Sequence, residues 1–386
     1  MKKINVGLVG YKFMGKAHSH AYKDMSMFFD TEYVPEMKVL CGRDETGVRE
    51  AAEKFGWKEY ETSWEKMIAR DDIDLVDIAA PSNYHKEIAI AAAKAKKDIF
   101  CEKPLALTLA DAREMLRVAE ENGVRHMIGF NYRFVPAICL ARKLIREGTL
   151  GTLYHFRGCY LQDWIVDPNF PLVWRLNKKV AGSGSHGDLG AHIIDLARDL
   201  MGEFDEVIGI SKTFIKERPV VGKMTGLSGI AEKDAAKVKV DVDDATLFLA
   251  RFKNGAMGNF EATRFATGHK NDLHFEINGS KGSIRFEFER MNELQYYNEN
   301  DRDDIQGFRV IQASAPVHQY MSAWWPTGHV IGYDSTFVHE MYEYMEAIHK
   351  GTNPKPDFHD GVKCSQILTA VDKSIEDRRW YKVDEV

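Results

Sequence analysis

The chain is poor in cysteine, with five in 386 residues at Cys41, Cys101, Cys139, Cys159 and Cys364. They are scattered, and no two form a C-x-x-C pair. That excludes a disulfide framework and a zinc knuckle, and it fits reduced, mostly buried thiols in a cytoplasmic protein. Long apolar runs are also missing. The longest are strand-sized, far below the roughly 20 residues a spanning helix needs, so no membrane association is expected. Neither sign of charge dominates: 52 Lys and Arg stand against 58 Asp and Glu, a net charge of −6. No basic footprint for nucleic acid is left. The start, Met1-Lys2-Lys3-Ile4-Asn5-Val6-Gly7, enters a strand pattern without the apolar stretch and cleavage site of a signal peptide. Internal repeats, low-complexity tracts and H-E-x-x-H-type histidine clusters are absent from the sequence, so no metal is expected.

What is present is an ordinary globular composition, 44% hydrophobic and 28% charged, on a chain long enough for two domains. Strand-like 4–9, 37–41, 74–80, 98–101 and 126–130 alternate with helical patterns over 14–28, 46–55, 84–96 and 109–122. That rhythm predicts parallel βαβ units with helices on both sheet faces. Past residue 150 the strands become longer and adjacent: 152–161, 206–215, 246–253, 256–264, 273–278 and 282–289, with a hairpin turn at Asn278-Gly279-Ser280-Lys281-Gly282. Helical stretches are expected at 187–201, 334–350 and 361–377, and a surface excursion without periodicity at 216–240. The fold class is α/β. A parallel βαβ domain of Rossmann type is expected over 1–128, ahead of an α/β domain over 129–386 with a large, open, mostly antiparallel sheet.

The first turn, Gly10-Tyr11-Lys12-Phe13-Met14-Gly15, has glycine at the first and sixth positions of the dinucleotide fingerprint and lysine at the third. The lysine can place an ammonium near a pyrophosphate, beside the helix N-terminus. At the end of the second strand, where an acid binds ribose hydroxyls, stand Gly42-Arg43-Asp44. An arginine there suits a 2′-phosphate, so NAD and NADP both stay open. Glu102-Lys103-Pro104 ends a strand at the edge of the sheet where ligands bind, and its lysine can share a proton with a reacting hydroxyl. Further on, Asp188 and His192 lie four apart, so a helix presents both on one face. There the carboxylate can orient an imidazole acting as general base. His186 is a nearby competitor on an expected loop.

The ordered set of Gly10 to Gly15 with His18, Glu102-Lys103-Pro104, and Asp188-x-Gly190-x-His192 resembles the Gfo/Idh/MocA oxidoreductases, and Phe130-Asn131-Tyr132-Arg133 and Val173-Trp174-Arg175 extend the likeness. The resemblance implies Lys103, Asp188 and His192 as the catalytic trio, and a cis peptide bond at Lys103-Pro104. It implies cofactor contacts from Gly10, Lys12, Phe13, Met14, Gly15, Arg43, Ala80, Pro81, Ser82, Asn83, His85, Glu102, Lys103, Asn131, Arg133, Trp174, Arg175 and Tyr333. It also implies a homo-oligomer, dimer or tetramer, formed through the open sheet. A narrower likeness, to members that oxidise the C3 hydroxyl of an anhydro-sugar or related pyranoside, rests on the segment Tyr160 to Trp164, Asp167-Pro168-Asn169, Ala181-Gly182-Ser183-Gly184, Glu217-Arg218-Pro219, the segment Val240 to Asp244, and Glu289 to Leu294. A sugar ring wants an aromatic platform and several hydrogen-bonding groups. Tyr132, Gln162, Trp164 and Arg175, with Lys103, Asp188 and His192, are the expected substrate contacts. The expected partner is a small sugar or polyol. Inositol dehydrogenase, keto-sugar reductase, a nicotinamide-using glycosidase and a non-enzymatic dinucleotide sensor are the alternatives.

Overall fold

The computed structural model describes residues 2–225, 228–231 and 235–386. They form two compact units: the chain up to Asn131 with Lys179–Gly182 and Tyr333–Ser365, and Tyr132–Lys178 with Ser183–Gly332 and Gln366–Val386. Both units are therefore discontinuous in sequence, where the chain alone suggested a single cut after residue 128. The helices are α1 (Phe13–Phe28), α2 (Glu45–Phe55), α3 (Trp64–Ile68), α4 (His85–Lys94), α5 (Leu109–Asn122), α6 (Pro136–Arg146), α7 (Lys178–Ala181), α8 (Ala191–Met201), α9 (Ser335–Lys350) and α10 (Phe358–Asp377).

The first unit carries six strands: β1 (Lys2–Val9), β2 (Tyr33–Cys41), β3 (Glu59–Glu61), β4 (Leu75–Ile78), β5 (Asp98–Glu102) and β6 (His126–Gly129). All pair in parallel, in the order β3-β2-β1-β4-β5-β6. The central strands are apolar on both faces because helices cover both, and every residue of β4 is buried, Asp77 included. Strand order reverses between β1 and β4, so their C-terminal ends open the crevice where this topology binds ligands. Helix α9, far away in sequence, packs here: Phe29 stacks on Tyr342 at 4.4 Å, and the Tyr344 hydroxyl donates to the Ile99 carbonyl at 3.2 Å.

The second unit holds β7 (Leu153–Leu161), β8 (Phe204–Lys212), β9 (Glu217–Pro219), β10 (Val221–Thr225), β11 (Ser228–Ala231), β12 (Lys237–Lys239), β13 (Ala245–Phe252), β14 (Met257–Thr263), β15 (Asp272–Gly279), β16 (Gly282–Glu287), β17 (Glu293–Asn298), β18 (Arg309–Gln312) and β19 (Tyr381–Lys382). Nine of these form one sheet, β18-β17-β16-β15-β7-β14-β13-β8-β19. It is antiparallel except for the parallel pair β7–β14. The expected fold class holds. Strand β13 alternates buried and exposed residues, as a sheet with one covered face requires. Helix α8 lies close on the covered face because β7 has glycine beneath it: a Cβ on Gly158 would come within 2.7 Å of Ile193.

The stretch 216–240 is not featureless. It forms four short strands in two ribbons, β9 with β12 and β10 with β11, outside the large sheet. Within it, residues 226–227 and 232–234 of the expected excursion lie outside the described residues. Three- to five-residue strands are too short to leave a period in the sequence. Among the described residues, no helix is long and apolar enough to cross a membrane.

Candidate active site

In the first unit the glycine turn is held where β1 and β4 end. Gly10 has φ +110°, and a Cβ on it would lie 2.5 Å from the Ala79 carbonyl oxygen; a Cβ on Gly15 would lie 2.0 Å from that of Gly10. Only glycine fits at either place. Helix α1 starts immediately, with Lys12 at its N-cap and no acidic residue in its first turn. The helix leaves the amides of Phe13, Met14 and Gly15 without intrahelical acceptors, an arrangement suited to a pyrophosphate. The Lys12 ammonium lies over the Tyr11 ring at 5.4 Å. That same ring explains Gly42, where a Cβ would come within 2.4 Å of it. Arg43 is exposed and donates to the Tyr84 hydroxyl at 2.9 Å. The Tyr11 hydroxyl reaches Asp44 at 3.4 Å, and burial followed by the Asp44 charge pushes its pKa up. The residues present fit a dinucleotide.

The turns that follow β4 and β5 are joined. Pro81, Ser82 and Asn83 lead into α4, with Ser82 buried and Asn83 exposed. The buried His85 ring bridges the Pro104 and Ala80 carbonyls, each at 2.9 Å. Burial lowers the pKa of His85. The Lys103–Pro104 peptide bond is cis, as the resemblance implied. Glu102 is buried; its Oε2 accepts the Lys103 amide at 3.1 Å, and its Oε1 lies 3.0 Å from His18 Nε2. Asn131 donates to the Thr336 hydroxyl at 2.8 Å, which in turn donates to the Tyr333 carbonyl at 2.7 Å.

In the second unit the segment carrying the expected acid and base begins with a wide π turn, His186–Gly190, before α8 takes over. The turn is anchored by the half-buried Asp243, which accepts from the Gly184 amide at 2.8 Å, the Ser185 hydroxyl at 2.6 Å and the His186 amide at 2.8 Å. Burial opposes its charge, yet His186 and these donors hold the Asp243 pKa below the usual carboxylate value. His186 is not the loop residue the sequence suggested. It is buried, and its Nε2 lies 3.1 Å from the Leu368 carbonyl. The π turn packs it inward, away from any role as a mobile competitor for the base.

Of the expected substrate residues, the second unit carries all but Lys103, which belongs to the first. Asp188 accepts from Nη2 of the fully buried Arg264 at 2.7 Å. His192 packs on Tyr132, with ring centroids 4.5 Å apart. From there a hydrogen-bonded chain runs Tyr132 to Tyr160 (2.7 Å), Tyr160 to Asn271 (2.8 Å), Gln162 to Asn271 (2.9 Å) and Trp164 to Gln162 (2.9 Å). The Arg264 guanidinium sits 5.5 Å from the Trp164 ring centroid. Arg175 lies over Trp174 at 4.3 Å; burial pulls its pKa down, against the attraction of Asp188. The loop after Trp164 is pinned by buried Arg218, which donates to the carbonyls of Ile165, Asp167 and Phe170. Arg133, an expected cofactor contact, makes a buried bidentate pair with Asp195 at 2.6 and 2.7 Å. That pair ties the segment after β6 to α8.

Sequence reasoning missed Arg264, Asn271 and Tyr160 as members of this group. One signal was available. Gly258, Phe260 and Ala262 share one parity along β14 and face the core, and Arg264, the residue after the strand ends, keeps that parity. An arginine in register with core residues must find a buried partner. Among the described residues, no cluster of His, Cys, Asp or Glu is arranged to hold a metal.

Comparison with known proteins agrees with this architecture. Residues 4–130 match a family model described as an oxidoreductase family with an NAD-binding Rossmann fold, and residues 138–285 match the GFO/IDH/MocA C-terminal domain. The chain is 43% identical to levoglucosan dehydrogenase of Pseudarthrobacter phenanthrenivorans, covering 100% of both chains. It is 26% identical to myo-inositol 2-dehydrogenase of Thermotoga maritima, covering 99% of each. A solved levoglucosan dehydrogenase in complex with NADH and levoglucosan superposes with a TM-score of 0.93 at 43% identity over 100% of both chains. An oxidoreductase domain protein from Kribbella flavida does so with a TM-score of 0.93 at 48% identity, over 99% of this chain and 100% of that one. The glycine turn, the Lys103–Pro104 strand end and the two domain matches lead to one statement: the chain belongs to the Gfo/Idh/MocA oxidoreductases, with an NAD-binding Rossmann domain at its N-terminal end.

Proposed function

We propose that this protein oxidises a secondary hydroxyl, at C3, of a pyranose-type or anhydro-sugar, with levoglucosan as the first substrate to test and NAD preferred over NADP. The observation that carries the proposal is the chain Trp164–Gln162–Asn271–Tyr160–Tyr132 beside His192, with Asp188 held by Arg264. It offers aromatic surface and directed hydrogen bonds, which a polyhydroxylated ring needs. The 43% identity to levoglucosan dehydrogenase supports the same substrate class.

His192 takes the hydroxyl proton, and Asp188 orients both the imidazole and the sugar. Lys103 donates to the same oxygen and stabilises negative charge as it develops. Bound NAD supplies the hydride acceptor at its nicotinamide ring. One C–H and one O–H bond of the sugar break, and a ketone forms. The Gly10–Gly15 turn and the start of α1 would hold the pyrophosphate of the dinucleotide, and the Arg43–Tyr84 and Tyr11–Asp44 pairs at the end of β2 would meet its adenosine ribose.

Initial rates with NAD and NADP against levoglucosan, glucosides and inositols test this reading. The expected result is NADH formation with levoglucosan and a much lower rate with NADP. Preference for myo-inositol, or release of free sugar from a glycoside without NADH, overturns it. We further infer a cytoplasmic homo-oligomer, dimer or tetramer. All five cysteines are free thiols, which suits a reducing compartment. Ile210, Leu247, Leu249, Met257 and Tyr154 expose apolar surface on neighbouring strands of the large sheet. Light scattering showing a monomer at micromolar concentration removes the oligomer.

A further inference from the structure

The first unit buries more charge than its glycine turn requires. His18 of α1 and Asp77 of β4 are fully inaccessible, and Glu102 at the end of β5 nearly so. His18 Nδ1 lies 2.9 Å from Asp77 Oδ2, and its Nε2 lies 3.0 Å from Glu102 Oε1. The Tyr22 hydroxyl donates to Asp77 at 2.8 Å. Phe100, edge-on at 5.3 Å, and Phe337 at 5.7 Å fix the plane of the imidazole. Gly129 makes room for the carboxylate, since a Cβ there would lie 2.8 Å from Glu102 Oε1. Burial disfavours the imidazolium, but Asp77 and then Glu102 outweigh it and push the His18 pKa up to about 10. With a carboxylate oxygen within 3.0 Å of each, both ring nitrogens are placed to donate.

An ion cluster this dry is a poor device for stability alone, because desolvation offsets most of the attraction. This one ends on a specific atom. Glu102 Oε2 accepts the amide of Lys103 at 3.1 Å, while His85 holds the next carbonyl, that of Pro104, at 2.9 Å. The backbone on both sides of the lysine is thus held by buried side chains from α1, β4, β5 and α4.

We propose that Tyr22, Asp77, His18 and Glu102 form a positioning chain that fixes the backbone of Lys103 for hydride transfer, and that Glu102 serves there instead of binding the cofactor. Both carboxylate oxygens are already engaged by the protein. This rests on the role of Lys103 given above. A shift of the lysine by an ångström lowers the chemical step by about 100-fold without weakening cofactor binding.

The test compares wild type, E102A, E102Q and H18Q. Turnover of levoglucosan by the wild type is measured first and judges the proposed function alone. The positioning chain is judged on ratios between variants, and on NADH Kd from fluorescence titration, which needs no sugar. Expected for E102A are a kcat lower by about 100-fold, an NADH Kd within threefold of wild type, and a larger deuterium isotope effect on kcat with C3-deuterated sugar. E102Q, which keeps an acceptor for the Lys103 amide, recovers most of the rate. H18Q falls between the two. A purely structural defect lowers the active fraction and leaves the isotope effect unchanged, and that result overturns the proposal. So does a tenfold weaker NADH Kd in E102A, whatever the sugar, because Glu102 is then a cofactor ligand.

Discussion

The two units handle polar groups in opposite ways. In the first, the His18–Asp77–Glu102 cluster is sealed: its charges face one another, with the Tyr22 hydroxyl at one end and the Lys103 amide at the other. In the second, the polar chain is held at one end and open at the other. Arg264 is fully buried, while the side chain of Asp188 keeps 28% of its surface accessible, and Gln162 and Trp164 are half-buried. A sealed cluster fixes geometry, and an open one meets a ligand. The same distinction separates scaffold from site where both are built from Asp, His and Glu.

Breaking the open side should have the largest effect. Alanine at His192 is expected to lower kcat by roughly 1,000-fold, within the range of lost general acid–base catalysis, with NADH Kd unchanged in a fluorescence titration; alanine at Lys103, in the first unit, should lower kcat by a similar factor. R264Q comes next. It removes the buried donor to Asp188, and kcat/KM for the sugar should fall by about 100-fold; a fall under threefold would leave Arg264 as mere packing. W164A should then raise the sugar KM by about tenfold with little change in kcat, as loss of a stacking surface predicts.

The smallest effect sharpens the sealed side. His18 has its pKa raised from 6.5 to about 10, so the imidazolium contributes stability that is complete below pH 6.5 and is withdrawn as pH rises through about 10. The neighbours that set this are Asp77, itself bonded by the Tyr22 hydroxyl, and Glu102. Melting temperature should therefore decline between pH 7 and pH 10, and H18Q should flatten that decline. An identical slope in H18Q would mean that His18 is already neutral in the folded protein.

Much of this was legible in the chain because the signals are local. Gly10 and Gly15 lie within one turn, Lys103 beside its proline, and Asp188 and His192 within one helical stretch. The parallel unit was legible for the same reason, each strand being followed directly by its helix. What escaped depends on contacts across the sheets. Asn271 joins Tyr160 to Gln162 over more than a hundred residues of sequence. Helix α9 belongs to the first unit although it follows eight of the nine strands of the second sheet. The π turn that seats His186 inward arises from Asp243, a residue far down the chain. Glu102 is a cofactor contact by the family resemblance; the buried His18 and the room left by Gly129 point to another role.

The account stands most directly on where the sugar's hydrogen goes. The protein is incubated with C3-deuterated levoglucosan and NAD, and the reduced cofactor is examined by mass spectrometry. The expected product is NADH one mass unit heavier, formed together with a 3-keto sugar. Unlabelled NADH, or consumption of the sugar with no reduced cofactor, would contradict it.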